Sequence, residues 1–316
     1  MYDIIIIGGG PAGMTAALYA LRYGKSVLII EKTGFGGQIT HAPRVENYPG
    51  TATMSGNEFA EKMLDQILAQ GAEIEFAAVT GVRQIPGGEG TAPSFEVDTE
   101  DDGSRTARAV ILATGVRHRT LGLPGEEELT GEGVSYCAVC DGDFYAGKTV
   151  CVVGGGDAAL QEAILLSEKC REVILLHRRA FFTAESRLQE ILKARPNVRT
   201  VMEARIRRLL TDEAGSFCGV ETERADGSGA EGNEPAVIPC DGLFVSIGQI
   251  PENECFAAVG DLDAHGYFDA DERCVTRTPG VFTAGDCRKK EVRQLTTAVG
   301  DGAVAALAAC RYIDRL

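Results

Sequence analysis

A glycine-rich loop, set directly between an apolar strand and a helix, occurs twice in this chain and restricts its fold more than any other feature. Each copy follows an apolar run and has the pattern G-x-G-x-x-G or G-x-G-x-x-A, and a helical pattern comes next. The first loop spans Gly8 to Gly13, and the second spans Gly154 to Ala159. This order is typical of a βαβ unit in an open parallel sheet. The sequence therefore predicts an α/β protein with two Rossmann-like domains.

The second domain is predicted to interrupt the first. The strand-like runs that close the two units end at Gly115 and Gly248, and a Pro-containing crossing segment follows each of them. A further strand and an Ala-rich helix near the C terminus then complete the first unit. We therefore expect residues 1–116 and 249–316 to form one domain, with residues 117–248 inserted as the other. Within the insert, the Gly-rich tract Ala225 to Pro235 predicts a surface hairpin or loop.

The first loop has the glycines that binding a nucleotide diphosphate requires. Gly8 permits the tight turn, Gly10 lets the backbone approach a pyrophosphate, and Gly13 lets helix and strand pack closely. The free N–H groups and the dipole of the helix N-terminus favour an anion. Glu31 ends the next strand, where a carboxylate suits ribose hydroxyl groups and repels a 2′-phosphate. The loop therefore predicts binding of the adenosine half of FAD or NAD.

The second loop differs from the first at the end of its second strand. His177, Arg178 and Arg179 stand where the first unit has Glu31. Cations in place of the acid favour a 2′-phosphate, and hence NADPH over NADH. The alternative is that these side chains form an ordinary solvated basic segment at the start of a helix.

Two cysteines and an acid form the pattern C-x-x-C-D between the two loops. At a helix start this spacing brings the sulfurs of Cys137 and Cys140 within disulfide reach, and the helix N-terminus stabilises a thiolate. Asp141 can carry the proton that such chemistry needs. Half of a zinc site is the alternative, but the sequence offers no second ligand pair. With a nucleotide site on either side, this dithiol predicts an electron relay from nicotinamide to flavin to disulfide.

Composition argues against several other classes of function. The net charge is −15 over 316 residues, whereas nucleic-acid binding needs clustered Lys and Arg. No apolar run is long enough to span a bilayer, and the short N-terminal run lacks the basic flank of a signal peptide. We therefore expect a cytoplasmic protein that binds neither nucleic acid nor membrane and holds no metal. Apart from the C-x-x-C pair, its cysteines are expected to be small packing residues.

Together these motifs resemble those of low-molecular-weight, bacterial-type thioredoxin reductases over essentially the whole chain. The resemblance implies FAD in the first domain, NADPH and the dithiol in the second, and a homodimer. It implies thioredoxin or a similar small dithiol protein as the substrate, and a rotation of the domains about the two crossings. It also implies that Cys140 lies nearer the flavin, that Cys137 attacks the substrate disulfide, and that Asp141 is the acid.

The resemblance also implies which residues contact the cofactors. Besides the two loops, it rests on G-G-Q, V-E-N-Y-P-G, A-T-G and A-G-D-C with R-Q further on. The expected FAD contacts are Gly8, Gly10, Pro11, Ala12, Gly13, Glu31, Gly37, Gln38, Asn47, Thr114, Gly115, Gly285, Asp286, Arg293 and Gln294. The expected NADPH contacts are Gly154, Gly156, Asp157, Ala158, His177, Arg178 and Arg179.

One position departs from the family pattern. The phosphate motif of the family is usually H-R-R-x-x-x-R, and Thr183 stands where the third Arg is expected. Losing one charge-assisted contact costs about 1.5–3 kcal/mol, which is roughly ten- to a hundredfold in affinity. Arg187, one helical turn further on, is a candidate to compensate. The leading hypothesis is an NADPH-dependent thioredoxin reductase, and the alternative takes electrons from ferredoxin or a reduced flavin carrier. A non-catalytic flavin protein would leave the dithiol and Asp141 unexplained.

Overall fold

The structure, a computed structural model, divides into two compact units. It describes residues 1–42, 44–88, 92–101, 103–225 and 236–316. Unit 1 comprises Met1–Arg117 and Ile250–Leu316, and unit 2 comprises His118–Gln249. The sequence predicts a surface hairpin or loop over Ala225 to Pro235. Apart from Ala225, these residues lie outside those that the structure describes.

Strands outnumber helices in the described ranges. In chain order, the strands are β1 (Tyr2–Ile7), β2 (Val27–Glu31), β3 (Glu73–Phe76), β4 (Val79–Ile85), β5 (Ser94–Thr99), β6 (Ser104–Leu112), β7 (Val116–His118), β8 (Val134–Ser135), β9 (Thr149–Val153), β10 (Glu172–Leu176), β11 (Val198–Val201), β12 (Ala204–Thr211), β13 (Phe217–Arg224), β14 (Ala236–Pro239), β15 (Gly242–Val245), β16 (Gln249–Pro251) and β17 (Val281–Thr283). The α-helices are α1 (Pro11–Arg22), α2 (Gly56–Leu68), α3 (Ala138–Asp141), α4 (Asp157–Ser167), α5 (Ser186–Lys193) and α6 (Leu295–Ile313), and short 3-10 turns span Gly37–His41, Gly142–Tyr145 and Glu254–Phe256.

Unit 1 is built on a sheet with the strand order β3-β2-β1-β6-β5-β4, and β17 pairs with β6. Strands β1, β2, β3, β6 and β17 run parallel where they pair, while β4 and β5 form an antiparallel extension. Successive side chains of β1 point to opposite faces. Ile4 and Ile6 therefore lie on the face of the sheet that packs against α1 and α6. Ile5 and Ile7 lie in a second apolar core on the opposite face of the same sheet. A strand buried on both faces explains the continuous apolar run in the sequence.

Unit 2 repeats the same βαβ arrangement. Its parallel sheet has the order β11-β10-β9-β15-β8. Val150 and Val152 of β9 face the core that includes α4 and α5. Cys151 and Val153 face the opposite core, which the antiparallel sheet β12-β13-β14 covers. The prediction of an α/β protein with two Rossmann-like units is confirmed.

A buried ion cluster joins α6 to the loop after β17. Arg288 donates from Nε and Nη2 to the two carboxylate oxygens of Asp301, both at 2.8 Å. Lys290 Nζ and the Gly285 N–H donate to Asp301 Oδ2 at 2.9 and 3.0 Å. Arg288 is 3% exposed and Asp301 is 7% exposed. Because both charges are desolvated, each depends on the other for its stability.

Replacing Asp301 by Asn should destabilise unit 1 strongly. The substitution removes the buried carboxylate that Arg288 and Lys290 both contact and leaves Arg288 with the exposed Glu272 at 3.4 Å. Loss of this buried counter-charge costs about 3–5 kcal/mol. The matched control is Asp271→Asn, whose carboxylate pairs with Arg273 at 2.6 Å at the exposed surface and should cost less than about 1 kcal/mol. Urea unfolding followed by circular dichroism measures both variants. Equal midpoints would show that the cluster does not stabilise unit 1.

Helix α6, with 19 residues, is the longest of the described helices. It carries the charged Asp301 near its middle and packs on α1. Within the described ranges, no helix combines the length and the apolar character that crossing a membrane requires. The same residues contain no group of three or more His, Cys, Asp or Glu side chains arranged to hold a metal ion.

Candidate active site

The first glycine-rich loop packs so tightly that two of its glycines have no room for a side chain. Gly8 has φ +109°, and a Cβ there would lie 2.2 Å from Ala113 O. A Cβ on Gly13 would lie 1.9 Å from Gly8 O. Gly10 caps α1 in an extended conformation, and the helix begins at Pro11. The N–H groups of the first turn of α1 are therefore available to an anion.

Three other predicted motifs meet this loop within unit 1. The Gly36 N–H donates to Gly9 O at 2.9 Å, and a Cβ on Gly37 would lie 3.5 Å from Gly10 Cα. A Cβ on Gly285 would lie 2.8 Å from the Ala12 Cβ. With Ala113 beside Gly8, the G-G-Q, A-T-G and A-G-D segments thus surround one loop.

Glu31 is buried at the end of β2, next to the same loop. Its Oε2 accepts from the Gly9 N–H at 2.6 Å, and its Oε1 accepts from the Thr33 N–H at 2.9 Å. Oε1 also accepts from Thr33 Oγ1 at 3.2 Å, while Oε2 has a further lone pair. The side chain is therefore fixed in place and can still accept from ribose hydroxyl groups.

Asp286 has a buried acceptor atom that needs a partner. Its Oδ1 has no hydrogen-bond partner among the described residues, and Lys290 Nζ lies 4.0 Å away. Burial raises the pKa of this carboxyl group. Arg293 Nε donates to the Asp286 carbonyl oxygen at 3.2 Å. Since buried polar atoms are normally hydrogen-bonded, Asp286 fits a ligand that brings a donor, such as a ribityl hydroxyl group of FAD.

The remaining predicted FAD residues lie on loops and at a helix start of unit 1. Asn47 Nδ2 donates to Gln294 Oε1 at 3.3 Å, and Gln294 caps α6. Gln38 lies in the 3-10 turn Gly37–His41. Gly115 has φ +68°, and no atom lies within 4 Å of a Cβ built on it. The Arg293 guanidinium group stacks on the Tyr267 ring at 4.1 Å.

Asn253 is a polar core residue that the sequence analysis missed. Its side chain is fully buried. Its Oδ1 accepts from Thr114 Oγ1 at 2.7 Å, and its Nδ2 donates to the carbonyl oxygens of Gly266 and Cys287, both at 2.9 Å. Asn253 thereby ties the A-T-G segment to the A-G-D-C segment. In the sequence it is one polar residue of a crossing and carries no sign of this role.

The second glycine-rich loop repeats the geometry of the first. Gly154 has φ +156°, and a Cβ there would lie 2.2 Å from Ser246 O. Gly156 caps α4, which begins at Asp157 and continues through Ala158. Asp157 Oδ1 accepts from the Glu185 N–H at 2.8 Å. The loop is therefore closed on one side by the segment that leads into α5.

His177 contacts the middle glycine of the second loop, as Glu31 does in the first. A Cβ on Gly155 would lie 2.1 Å from the His177 ring. Burial lowers the pKa of this imidazole, which favours the neutral form, and its Nε2 has no hydrogen-bond partner in the described part of the chain. Arg178 and Arg179 follow it and are exposed. A neutral ring with a free nitrogen and two exposed cations fits a nucleotide that bears a 2′-phosphate.

Thr183 is hydrogen-bonded to the second glycine-rich loop. Its N–H and its Oγ1 both reach Gly155 O, at 2.8 and 3.1 Å. The expectation that Arg187 lies one helical turn beyond it is wrong, because α5 begins only at Ser186. Arg187 instead lines a cleft with Asp157 and other residues of α4 and α5.

The predicted cysteine pair forms a disulfide at the start of a short helix in unit 2. Cys137 and Cys140 are joined with their Cα atoms 5.3 Å apart. Cys137 caps α3, and its Sγ accepts from the Cys140 N–H at 3.1 Å. Cys140 is exposed and Cys137 is half-buried. The pair is thus accessible to a reductant or to another thiol.

Asp141 lies directly after the pair and can hold a proton. Its Oδ2 accepts from Ser135 Oγ at 2.6 Å. Its Oδ1 is buried and lacks a hydrogen-bond partner among the residues that the structure describes. Burial raises the pKa of the carboxyl group above its usual value. Unit 2 therefore combines a disulfide, a protonatable acid and a glycine-rich loop.

Comparisons with known proteins agree with this arrangement. A family model described as pyridine nucleotide-disulphide oxidoreductase matches residues 2–302. A thioredoxin reductase of Listeria innocua is 39% identical over 316 residues, covering 100% of this chain and 95% of the relative. One of Bacillus subtilis is 38% identical over 318 residues, covering 100% and 96%.

A solved structure is similar over the same length. The crystal structure of thioredoxin reductase from Streptococcus pyogenes has a TM-score of 0.90 and 38% sequence identity, covering 100% of this chain and 99% of that one. Both glycine-rich loops and the C-x-x-C pair fall inside the residues matched by the family model. The chain belongs to the pyridine nucleotide-disulphide oxidoreductase family.

Proposed function

We propose that this chain is an FAD-dependent thioredoxin-disulfide reductase that takes its electrons from NADPH. The observation that carries the proposal is the Cys137–Cys140 disulfide beside the protonatable Asp141, in a unit that also has a nucleotide loop. The similarity to thioredoxin reductases over the whole chain supports it. The acceptor is thioredoxin or a similar small protein with a disulfide.

Each domain would hold a different cofactor. FAD, when bound, supplies two-electron transfer between the nicotinamide and the disulfide. Residues 1–116 and 249–316 would hold it, with its pyrophosphate at the start of α1, its ribose at Glu31 and its ribityl chain at Asp286. Residues 117–248 would hold NADPH, with the second loop at its pyrophosphate and Arg178 and Arg179 at its 2′-phosphate.

The dithiol passes the electrons on to the protein substrate. When two electrons enter, the bond between Cys137 and Cys140 breaks, and Asp141 gives a proton to one of the sulfurs. The Cys137 thiolate attacks the substrate disulfide and forms a mixed disulfide. Cys140 then attacks Cys137, which restores the enzyme disulfide and releases the reduced substrate.

Three further properties belong to the same proposal. The segments Val116–Arg119 and Ser246–Ile250 are the hinges of a domain rotation, because one flavin face must serve nicotinamide and disulfide in turn. The enzyme is a homodimer, and it works in the cytoplasm, where thiols are kept reduced.

An anaerobic titration of the purified yellow protein tests the electron donor. NADPH is added stepwise, NADH is added to a separate sample, and the flavin absorbance is followed. Bleaching by NADPH at lower concentration than by NADH is the expected result. Bleaching of the flavin by dithionite but by neither nucleotide would contradict NADPH as the donor. The next donor to test would then be ferredoxin, the alternative that Thr183 motivates.

Replacing Thr183 by Arg should strengthen NADPH binding. The new guanidinium group would lie beside Gly155 and Gly156, where Thr183 Oγ1 now lies 3.8 Å from the Cβ position of Gly156. One added charge-assisted contact should lower the KM for NADPH roughly ten- to a hundredfold and leave that for NADH within about twofold. Thr183→Gln is the control, since it loses the same hydroxyl group without adding a charge. An equal change for both nucleotides would show that position 183 does not contact the 2′-phosphate.

A further inference from the structure

A second carboxyl group, from a different helix, adjoins the cysteine pair. Glu162 lies on α4, which packs against α3. Its Oε2 is buried and has no hydrogen-bond partner within the described ranges. The groups that face this carboxyl group are the backbone N–H of Ala138 and the hydroxyl group of Ser246. Because Ala138 N is covalently joined to Cys137, the carboxyl group lies next to a redox-active residue.

The surroundings of Glu162 are otherwise apolar. The core around α4 consists mainly of aliphatic side chains from β9, β10, β15 and α5, and Ala138 is buried in it. Asp141 lies on α3, which packs against α4, and Tyr145 and Cys170 border the same core. Burial raises the pKa of Glu162 to about 7, against the opposite effect of Ala138 and Ser246. The carboxyl group can therefore be neutral or charged at physiological pH.

We propose that Glu162 is a positioning residue of the dithiol, which takes up a proton when the Cys137–Cys140 disulfide is reduced and so controls how much thiolate the reduced pair carries. An anionic Glu162 and a thiolate on the adjoining segment repel each other, so each disfavours ionisation of the other. The assignment rests on the proposed function, because it treats the cysteine pair as the redox centre.

The reduction balances with one proton on Glu162. Two electrons break the S–S bond and leave two thiolates. They come from a reduced flavin, or from a phosphine or dithiol reductant in a test. One sulfur takes a proton from Asp141 and becomes a thiol, while the other remains a thiolate. Glu162 takes a proton from solvent, so the local negative charge rises by one unit rather than by two. At higher pH Glu162 loses that proton, and its negative charge then disfavours ionisation of the cysteine pair.

Alkylation of the reduced cysteines measures this coupling without any turnover. The full-length flavoprotein is reduced with a phosphine and treated with neutral iodoacetamide between pH 5 and pH 10. The rates at Cys137 and Cys140 are read separately by peptide mass spectrometry. Only thiolates react, so the rates report ionisation. The thiolate of the reduced pair raises the pKa of Glu162 further, so the wild-type profile should show a step above pH 7. Glu162→Gln should remove the step and raise the rate at pH 8 by about three- to tenfold.

Two further variants separate charge from packing. Glu190→Gln replaces an exposed glutamate of α5 in the same unit and should leave the profile unchanged. Glu162→Asp keeps a carboxyl group and should retain a step that the Gln variant lacks. Identical profiles for wild type and Glu162→Gln, or for the Asp and Gln variants, would overturn the proposal. A protein that NADPH fails to reduce would contradict the proposed donor and leave this alkylation test unaffected.

Discussion

A Cys140→Ser enzyme should fail to reduce a thioredoxin disulfide while its flavin is still bleached by NADPH. The expected loss of turnover is on the order of a thousandfold or more, because residues that act as one unit lose almost all activity when one is removed. Without Cys140 no disulfide can form with Cys137, so electrons have no route from the flavin to the protein substrate. Flavin bleaching and thioredoxin turnover are measured on the same preparation.

Cys218→Ser is the matched control for this experiment. Cys218 is an exposed free cysteine in the same unit, and its replacement should change turnover by less than about twofold. Substantial turnover in Cys140→Ser would refute the relay through the C-x-x-C pair. Loss of bleaching in that variant would instead mean that the substitution disturbs the nucleotide sites.

A Gly13→Ala enzyme should be purified largely without flavin. The new Cβ would lie 1.9 Å from Gly8 O, so α1 must move away from the loop at the end of β1. Overpacking of this kind costs about 1–3 kcal/mol or more. The same movement displaces the N–H groups at the start of α1 that would hold the pyrophosphate. The ratio of flavin to protein absorbance measures the effect.

Gly34→Ala is the control for the loop. No atom lies within 4 Å of a Cβ built at Gly34, and its φ is not in the left-handed region. This variant should retain its full flavin content. A Gly13→Ala protein with normal flavin content would show that the first loop does not require its closest packing for cofactor binding.

The apolar runs of the sequence predicted the central strands well. The apolar runs Tyr2 to Ile7, Thr149 to Val153 and Glu172 to Leu176 predict strands, and β1, β9 and β10 begin and end at those residues. These strands are buried on both faces, so their limits coincide with the limits of the apolar runs. The sequence predicts a helix over Met14 to Arg22, whereas α1 begins at Pro11, since Pro is favoured in the first helical turn. The G-G-Q, A-T-G and A-G-D segments also meet around the first glycine-rich loop.

Other elements were missed for identifiable reasons. Helix α2 follows Ser55, whose side chain accepts from the Glu58 N–H at 3.1 Å, so the pattern S-x-x-E could have revealed its start. In β12 the register shifts between Ile206 and Arg208, and this bulge breaks the alternation that identifies a strand. Asn253 and Glu162 depend on contacts between segments distant in sequence, which one sequence cannot reveal.

Backbone hydrogen bonds join the first and the last residues of unit 2. The Arg119 N–H donates to Gly248 O at 2.9 Å, and the two connecting strands β7 and β16 pair with each other. A segment whose entry and exit adjoin can be inserted into a host domain, or removed from it, without separating the cut ends of the host. Unit 2 is therefore one continuous insertion into the chain of unit 1, and it carries the second glycine-rich loop and the C-x-x-C pair with it. Because its residues are contiguous, a single stretch of coding sequence encodes the whole of unit 2.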